Sequence, residues 1–315
     1  MFRVFDSDSG FCRPAAAALA AALVLAPAAF AQDYGDTPYV PTPQHVVDKM
    51  LEVAGVGPKD YVIDLGSGDG RMVITAAKKF GARGFGVDLD RSLVRRSNNL
   101  AARAGVAERA VFYERDLYQT DLSRATVLTM YLLPEVNLMV RAKLLKQLKP
   151  GTRIVSHDYG MGEWKPDEYL VLDAPDKPVG ADFKSKVFYW VVPAVVSGKW
   201  RWQLARDAWA EDFELKLDQM FQEINGSLSF SGRTTKIGGG RLSGETIRFF
   251  ADIGSGADVV RYQFTGRVAK QAIEGEAQIG TGAAARRLPW KAMQTEASEP
   301  AHAALKPPAA PKYSW

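Results

Sequence analysis

The hydrophobic pattern of this chain changes period once, near Pro193, and that change limits the folds open to it. Before it, short β-rich runs alternate with amphipathic helical stretches; after it, apolar and polar residues alternate at every second position between glycine-rich interruptions. The first pattern is that of a parallel sheet covered by helices on both faces, the second that of an antiparallel meander forming a small barrel or sandwich. The expected architecture is α/β, a doubly wound sheet over residues 39–193, followed by an all-β module over 197–292. A length of 315 residues is enough for two cores.

Within the first half, Thr42 and Pro43 are expected as N-cap and first residue of a helix that carries Val46, Val47, Met50, Leu51 and Ala54 and stops at Gly55. Strands are expected over 61–65, 84–88, 111–113, 126–131 and 153–156, with helices between them. Asp90 caps one of these helices, Gly105 ends it, and Pro134 opens the last. The runs at 169–172 and 186–191 have no helical stretch between them, so they read as an antiparallel pair at the sheet edge. In the second half Trp200, Trp202, Phe213, Leu215, Phe230, Phe249 and Phe264 are expected to fill a core. Turns are expected at Asn225-Gly226, Gly238-Gly239-Gly240, Gly244, Gly254-Ser255-Gly256 and Gly266.

At the amino end, Arg3 and Arg13 precede an Ala/Leu/Val run over 15–26 and then Ala29-Phe30-Ala31. This reads as a signal peptide over 1–31 cut after Ala31, giving an exported, periplasmic chain that starts at Gln32; the alternative is a membrane anchor. Residues 295–315, rich in Ala, Pro and Lys, read as a disordered tail. One Cys and three His leave no raw material for a Cys/His metal site, and no metal is expected. A net charge of +4 is too small for a nucleic-acid binder.

The segment Asp64-Leu65-Gly66-Ser67-Gly68-Asp69-Gly70-Arg71 lies between the first strand and a helix. Its glycines let the backbone turn tightly against a ligand at the carboxyl edge of the sheet. The spacing is G-x-G-x-G after an acid, not the G-x-G-x-x-G of dinucleotide sites. A carboxylate there repels pyrophosphate and favours an amino acid's ammonium group. Asp88, ending the second strand, can accept both ribose hydroxyls, and Asp116, after the third, can accept from an adenine amino group or cap a turn. Adenosine joined to an amino-acid zwitterion without phosphate describes S-adenosylmethionine.

These residues resemble the class I, seven-strand, Rossmann-like S-adenosylmethionine-dependent methyltransferases. Four stretches together, Tyr39-Val40-Pro41-Thr42, the 64–71 loop, Tyr131-Leu132-Leu133-Pro134 and Met161-Gly162-Glu163-Trp164, are similar to the protein-lysine methyltransferases that modify the mitochondrial ATP synthase c subunit and to their bacterial relatives. The resemblance covers about half the chain and leaves the β module outside it. It implies that Asp64, Gly66 and Gly68 surround the methionine moiety, that Asp88 meets the ribose and that Asp116 lies near adenine. Thr42, Ser67 and Gly70 complete the expected donor-contacting set. Tyr131, Pro134 and Tyr39 are expected at the acceptor side, where many amine methyltransferases instead carry Asp or Asn before Pro-Pro-aromatic. His157 and Asp158, which follow the fifth strand, suggest a proton relay or a structural pair.

The expected activity is S-adenosylmethionine-dependent methyl transfer, to a nitrogen of a protein lysine or a small amine. The alternatives are a small-molecule O- or N-methyltransferase and an exported binding protein that keeps the fold without turnover. The expected partner is the methyl acceptor, with association to the cell envelope.

Overall fold

The computed structural model describes residues 39–308 apart from 207, 208, 255, 283 and 284. The signal peptide expected over 1–31 lies outside the described residues. The first half runs α1 (Gln44–Val53), β1 (Tyr61–Leu65), α2 (Arg71–Lys79), β2 (Arg83–Asp88), α3 (Arg91–Arg103), β3 (Ala110–Glu114), β4 (Val127–Met130), α4 (Pro134–Gln147), β5 (Arg153–His157), β6 (Glu168–Asp173) and β7 (Lys184–Val191). The sheet order is β3-β2-β1-β4-β5-β7-β6, with β1 to β5 parallel and β7 antiparallel to both its neighbours. Strand alternation sends Ile63 and Leu65 to one face, against Val140 and Leu144 of α4. It sends Val62 to the other, against Val46, Val47 and Met50 of α1 and Met72 of α2. After β3 the chain crosses to the other side of β1, so β1 and β4 border the crevice where open α/β sheets take their ligands.

Local signals set most helix ends. Asp90 caps α3 by accepting from the N–H groups of Ser92 and Leu93, and Gly105 follows it at φ 70°. At α1 the expectation shifts by one residue: Pro43 is the N-cap, and the Thr42 hydroxyl is used elsewhere, against His157.

The second half is a closed barrel of β8 (Gly198–Arg206), β9 (Trp209–Met220), β10 (Glu223–Phe230), β11 (Arg233–Ser243), β12 (Thr246–Ile253), β13 (Val260–Ala269), β14 (Ala272–Ile279) and β15 (Arg286–Ala297). Trp200, Trp202, Phe213, Leu215, Phe249 and Phe264 fill it as expected, joined by Trp290, while Phe230 is half-buried at its margin. Gly244 is a turn, but Asn225-Gly226, Gly238-Gly239-Gly240 and Gly266 lie inside strands. A Cβ on Gly226 would stand 1.9 Å from the Lys216 carbonyl and one on Gly266 2.9 Å from the Trp290 ring. These glycines admit close approach of a neighbouring strand and of a large indole, which is why a turn reading from composition fails there.

The barrel and the sheet also share a core. At the β9–β10 turn, Met220 and Phe221 pack into the α4 side of the sheet. The Phe221 ring stacks on Trp164 at 5.5 Å and on His302 at 4.7 Å, with the Arg141 guanidinium 5.6 Å from its centre. Around this wedge, Gln222 donates to the Lys165 carbonyl at 2.7 Å and Arg241 meets Asp167 at 2.5 Å. The tail expected from residue 295 is ordered well past that point: β15 continues to Ala297, and a 3-10 turn spans Ala301–Ala304. His302 Nδ1 accepts the Phe221 N–H at 2.9 Å, and Leu305 packs on the sheet's core. An aromatic and an apolar side chain with a surface to cover outweigh an Ala/Pro-rich composition.

Phe221→Ala should therefore destabilise the sheet domain as well as the barrel. We expect a loss of about 3–5 kcal/mol in denaturant unfolding, with the tryptophan signals of both halves shifting together. A chain cut near Pro193 should unfold more readily than the whole protein; equal stability of the two would show that the shared wedge contributes nothing.

Candidate active site

The loop after β1 is shaped by its glycines. Gly66, Gly68 and Gly70 sit at φ 72°, 53° and 80°, in the left-handed region that side chains resist. The N–H groups of Gly66 and Ser67 both donate to the Val87 carbonyl, fastening the loop to the end of β2. A Cβ on Gly66 would meet Leu132 at 2.7 Å, and one on Gly68 would meet the Tyr39 ring at 2.4 Å. Leu132 and Tyr39 are thus walls directly over the loop. Gly70 answers to a different need: a Cβ there would strike Phe112 and Ser97, so this glycine serves packing beneath the loop and opens α2. Ser67 likewise folds its side chain back against Gly86, and its buried Oγ has no protein partner.

Three carboxylates surround this loop, each held differently. Asp64 is buried, and parallel pairing sets it beside Thr129, whose Oγ1 donates to Asp64 Oδ1 at 2.6 Å. Burial first of all pushes its carboxyl up, to about 8, against the Thr129 hydrogen bond and with help from the charges of Asp88 and Asp69. A neighbouring cation would reverse this, which fits an amino acid's ammonium group. Asp88 is half-buried and fixed by two N–H donors, Gly68 to Oδ2 at 2.8 Å and Asp90 to Oδ1 at 3.0 Å. Asp69 pairs with Arg71 at 2.7 Å, and Arg71 also donates to the Thr42 carbonyl at 2.6 Å and the Tyr39 hydroxyl at 3.4 Å. This Asp69–Arg71 clamp was not expected from the sequence, although both residues stand in the motif itself.

Asp116 takes the capping role. Its Oδ1 accepts the Tyr118 N–H at 2.7 Å and its Oδ2 the Gln119 amide at 3.2 Å. Thr42, expected at the donor, instead bonds His157 Nδ1 at 3.0 Å, while Ser185 Oγ lies 2.9 Å from Nε2. His157 is fully buried between these two hydroxyls and is held down to about 4, chiefly by burial, which makes it a neutral structural ring.

The residues expected at the acceptor side begin where β4 ends. Half-buried Tyr131 lies with its ring 4.1 Å from His157 and 6.3 Å from Tyr159, and its hydroxyl donates to Asp158 Oδ2 at 3.1 Å. Burial first, then the Asp158 charge, pushes the Tyr131 phenol well above its usual range, so it keeps its proton. Pro134 is the first residue of α4. That helix supplies two residues that sequence alone did not single out. Asn137 donates to the carbonyls of Tyr159 and Gly160 at 3.1 and 3.3 Å, and Arg141 to the Met161 carbonyl at 2.8 Å. They hold the 159–163 segment, and with it the second tyrosine, beside Tyr131.

The Asp64 carboxyl yields a pH dependence. Its raised value contributes stability that is full below about pH 4 and is lost as pH rises through about 8. His157, lowered from 6.5 to about 4, works oppositely, its contribution being lost as pH falls below 6.5. Of these two, only Asp64 titrates between pH 6.5 and 8. The ligand-free protein should lose melting temperature over that interval, by up to about 1.4 kcal/mol of stability per pH unit, and Asp64→Asn should flatten the slope. An unchanged slope in Asp64→Asn would remove the buried acid from the site's energetics.

Residues 64–168 match the family model of the ANTKMT methyltransferase domain. The chain is 45% identical over 137 residues to a protein-lysine N-methyltransferase of Saccharolobus islandicus (strain REY15A), covering 43% of this chain and 85% of that protein. It is 32% identical over 130 residues to the human ATP synthase c-subunit lysine N-methyltransferase, with 41% of this chain and only 55% of that relative covered. An RNA methyltransferase structure from Salinibacter ruber, in complex with S-adenosyl-L-homocysteine, is 46% identical with a TM-score of 0.46, covering 50% of this chain and 96% of that one. The glycine cradle, the buried acid that calls for a cation and the anchored second acid fit the methyl donor that such enzymes use. The chain belongs to the protein-lysine N-methyltransferase family, and it is an S-adenosylmethionine-dependent methyltransferase.

Proposed function

We propose that this enzyme methylates the ε-nitrogen of lysine in a protein acceptor of the cell envelope. One observation carries the reading of the acceptor side: Leu132 stands over Gly66 while the adjoining Tyr131 hydroxyl donates a hydrogen bond to Asp158, so an apolar wall and an oriented phenol oxygen adjoin the donor loop. Asp64 and the Gly66–Gly68 cradle would hold the methionine part of S-adenosylmethionine, and Asp88 the ribose. Bound there, S-adenosylmethionine supplies a sulfonium methyl that an amine nitrogen takes while the C–S electron pair returns to sulfur.

The protein's work is to present that amine neutral and aligned. Leu132, the apolar wall over the donor loop, disfavours an ammonium relative to the free amine at the point where the methyl is taken. The Tyr131 hydrogen points to Asp158, so the oxygen's remaining lone pair is available to accept an amine N–H and to fix the direction of approach. Alignment of this kind is the principal source of rate in a displacement that needs no proton transfer at the reacting carbon.

Two variants separate the donor and acceptor roles. Asp88→Ala should weaken S-adenosylmethionine binding by about 1.5–3 kcal/mol through loss of charge-assisted hydrogen bonds, as read by calorimetry. Tyr131→Phe should lower turnover on a lysine-bearing protein and leave donor affinity within about twofold. Equal loss of donor affinity in both would place Tyr131 in the donor site and end the acceptor assignment.

The envelope location is supported by the apolar run over 15–26 and the Ala29-Phe30-Ala31 site. Intact-mass measurement of the protein from its native host should give a chain starting at Gln32, recovered outside the inner membrane. A chain retaining Met1 in the cytoplasm would refute it.

A further inference from the structure

Asp158 is held in an unusual state at the carboxyl edge of the sheet. Directly after β5 it adopts φ 61°, a left-handed conformation uncommon for a non-glycine residue. Its carboxylate is 9% exposed, with Oδ1 accepting the Lys186 N–H at 3.0 Å and Oδ2 accepting from Tyr131 at 3.1 Å. The same Oδ2 lies 2.8 Å from the Nζ of Lys177. Lys177 belongs to the 174–183 connection between β6 and β7, and its side chain is only 8% exposed. Its ammonium donates also to the Lys184 carbonyl at 2.6 Å. The other titratable ring at hand, His157, has Nε2 at 3.6 Å from Asp158 and is neutral.

A primary ammonium on a straight four-carbon stem thus lies buried against the one carboxylate that is hydrogen-bonded to the acceptor-side tyrosine. An acceptor lysine arrives from solution with the same ammonium, which it must lose before it takes the methyl. We propose that Asp158 and Tyr131 form the recognition site for the acceptor's ammonium, and that Lys177 fills it as an internal stand-in which the acceptor lysine displaces. The proposal rests on the lysine reading of the acceptor. A purely structural tie is a weaker account: a buried ion pair gains little over an apolar contact of the same volume, and the β6–β7 connection is already closed by Ala174 donating to the Phe183 carbonyl. Exchange of one lysine for another conserves the ion pair, so the stand-in taxes acceptor affinity while leaving the pocket's charge balanced.

The two accounts differ in sign. In the full-length protein loaded with S-adenosylhomocysteine, the binding of n-butylammonium, a mimic of the lysine side chain, is measured by calorimetry. Lys177→Ala should bind it roughly fivefold more tightly or better than the parent, and with a lysine-containing peptide should lower KM by a similar factor with donor affinity unchanged. Adding Asp158→Asn to Lys177→Ala should abolish the gain. No gain in amine affinity on removing Lys177, or a gain that survives Asp158→Asn, overturns the proposal. Lys177→Met keeps the packed stem without the charge and decides the same comparison where the alanine variant fails to fold. Amine binding needs no turnover: tight binding by Lys177→Ala with no methyl transfer to any lysine peptide would retire the lysine-transfer reading and leave the recognition site standing.

Discussion

The site is organised around a carboxyl group that the fold buries without a cation. Parallel pairing of β1 with β4 sets Asp64 beside Thr129, at the crevice where the chain crosses from one side of β1 to the other. One neutral hydroxyl does not offset the cost of ionising an acid there, so its carboxyl is pushed up to about 8. The rest of the loop is arranged about that carboxyl. Gly66 and Gly68 bring backbone where side chains would block it, and the Gly68 N–H orients Asp88.

Around Tyr131, on the proposed acceptor side, the charges are resolved within the protein. His157 is enclosed by Thr42 and Ser185 and stays neutral, which leaves Asp158 as the local anion. Burial alone would raise the Asp158 carboxyl, but the Lys177 ammonium, with the Lys186 N–H, outweighs it, and the group stays below the usual range. Tyr131 sits between this anion and Leu132 over the donor loop, joining the two halves of the site. Burial, and after it the anion that fixes the direction of its O–H bond, keep its phenol protonated.

The wall of the proposed acceptor side rests on the barrel. Phe221 stacks on Trp164, the last residue of the link whose carbonyls at Met161 and, upstream, Gly160 and Tyr159 are held by Arg141 and Asn137 of α4. Arg141 also lies over the Phe221 ring, so one guanidinium spans the barrel's wedge and the acceptor-side segment. The positions of Tyr159 and Tyr131 therefore depend on a core that closes only when both halves of the chain have folded.

Periodicity and turn chemistry determined the strand and helix order, the antiparallel edge pair, the cap at Asp90 and the alternation that fills the barrel, because each is fixed by residues close in sequence. The donor loop was legible for the same reason: Asp64, Gly66 and Gly68 are contiguous, and Asp88 ends the next strand. What the sequence could not decide joins residues far apart in the chain. Glycines 226 and 266 read as turns until strands from elsewhere are laid against them, and the tail reads as disordered until Phe221 offers His302 a ring to cover. Thr42 reads as a helix cap until His157 arrives beside it, and nothing in the local pattern marks Lys177 until the fold sets it against Asp158. Local pattern fixes local structure, but burial and charge pairing are set by what packs on the other side, and only the assembled sheet and barrel supply that.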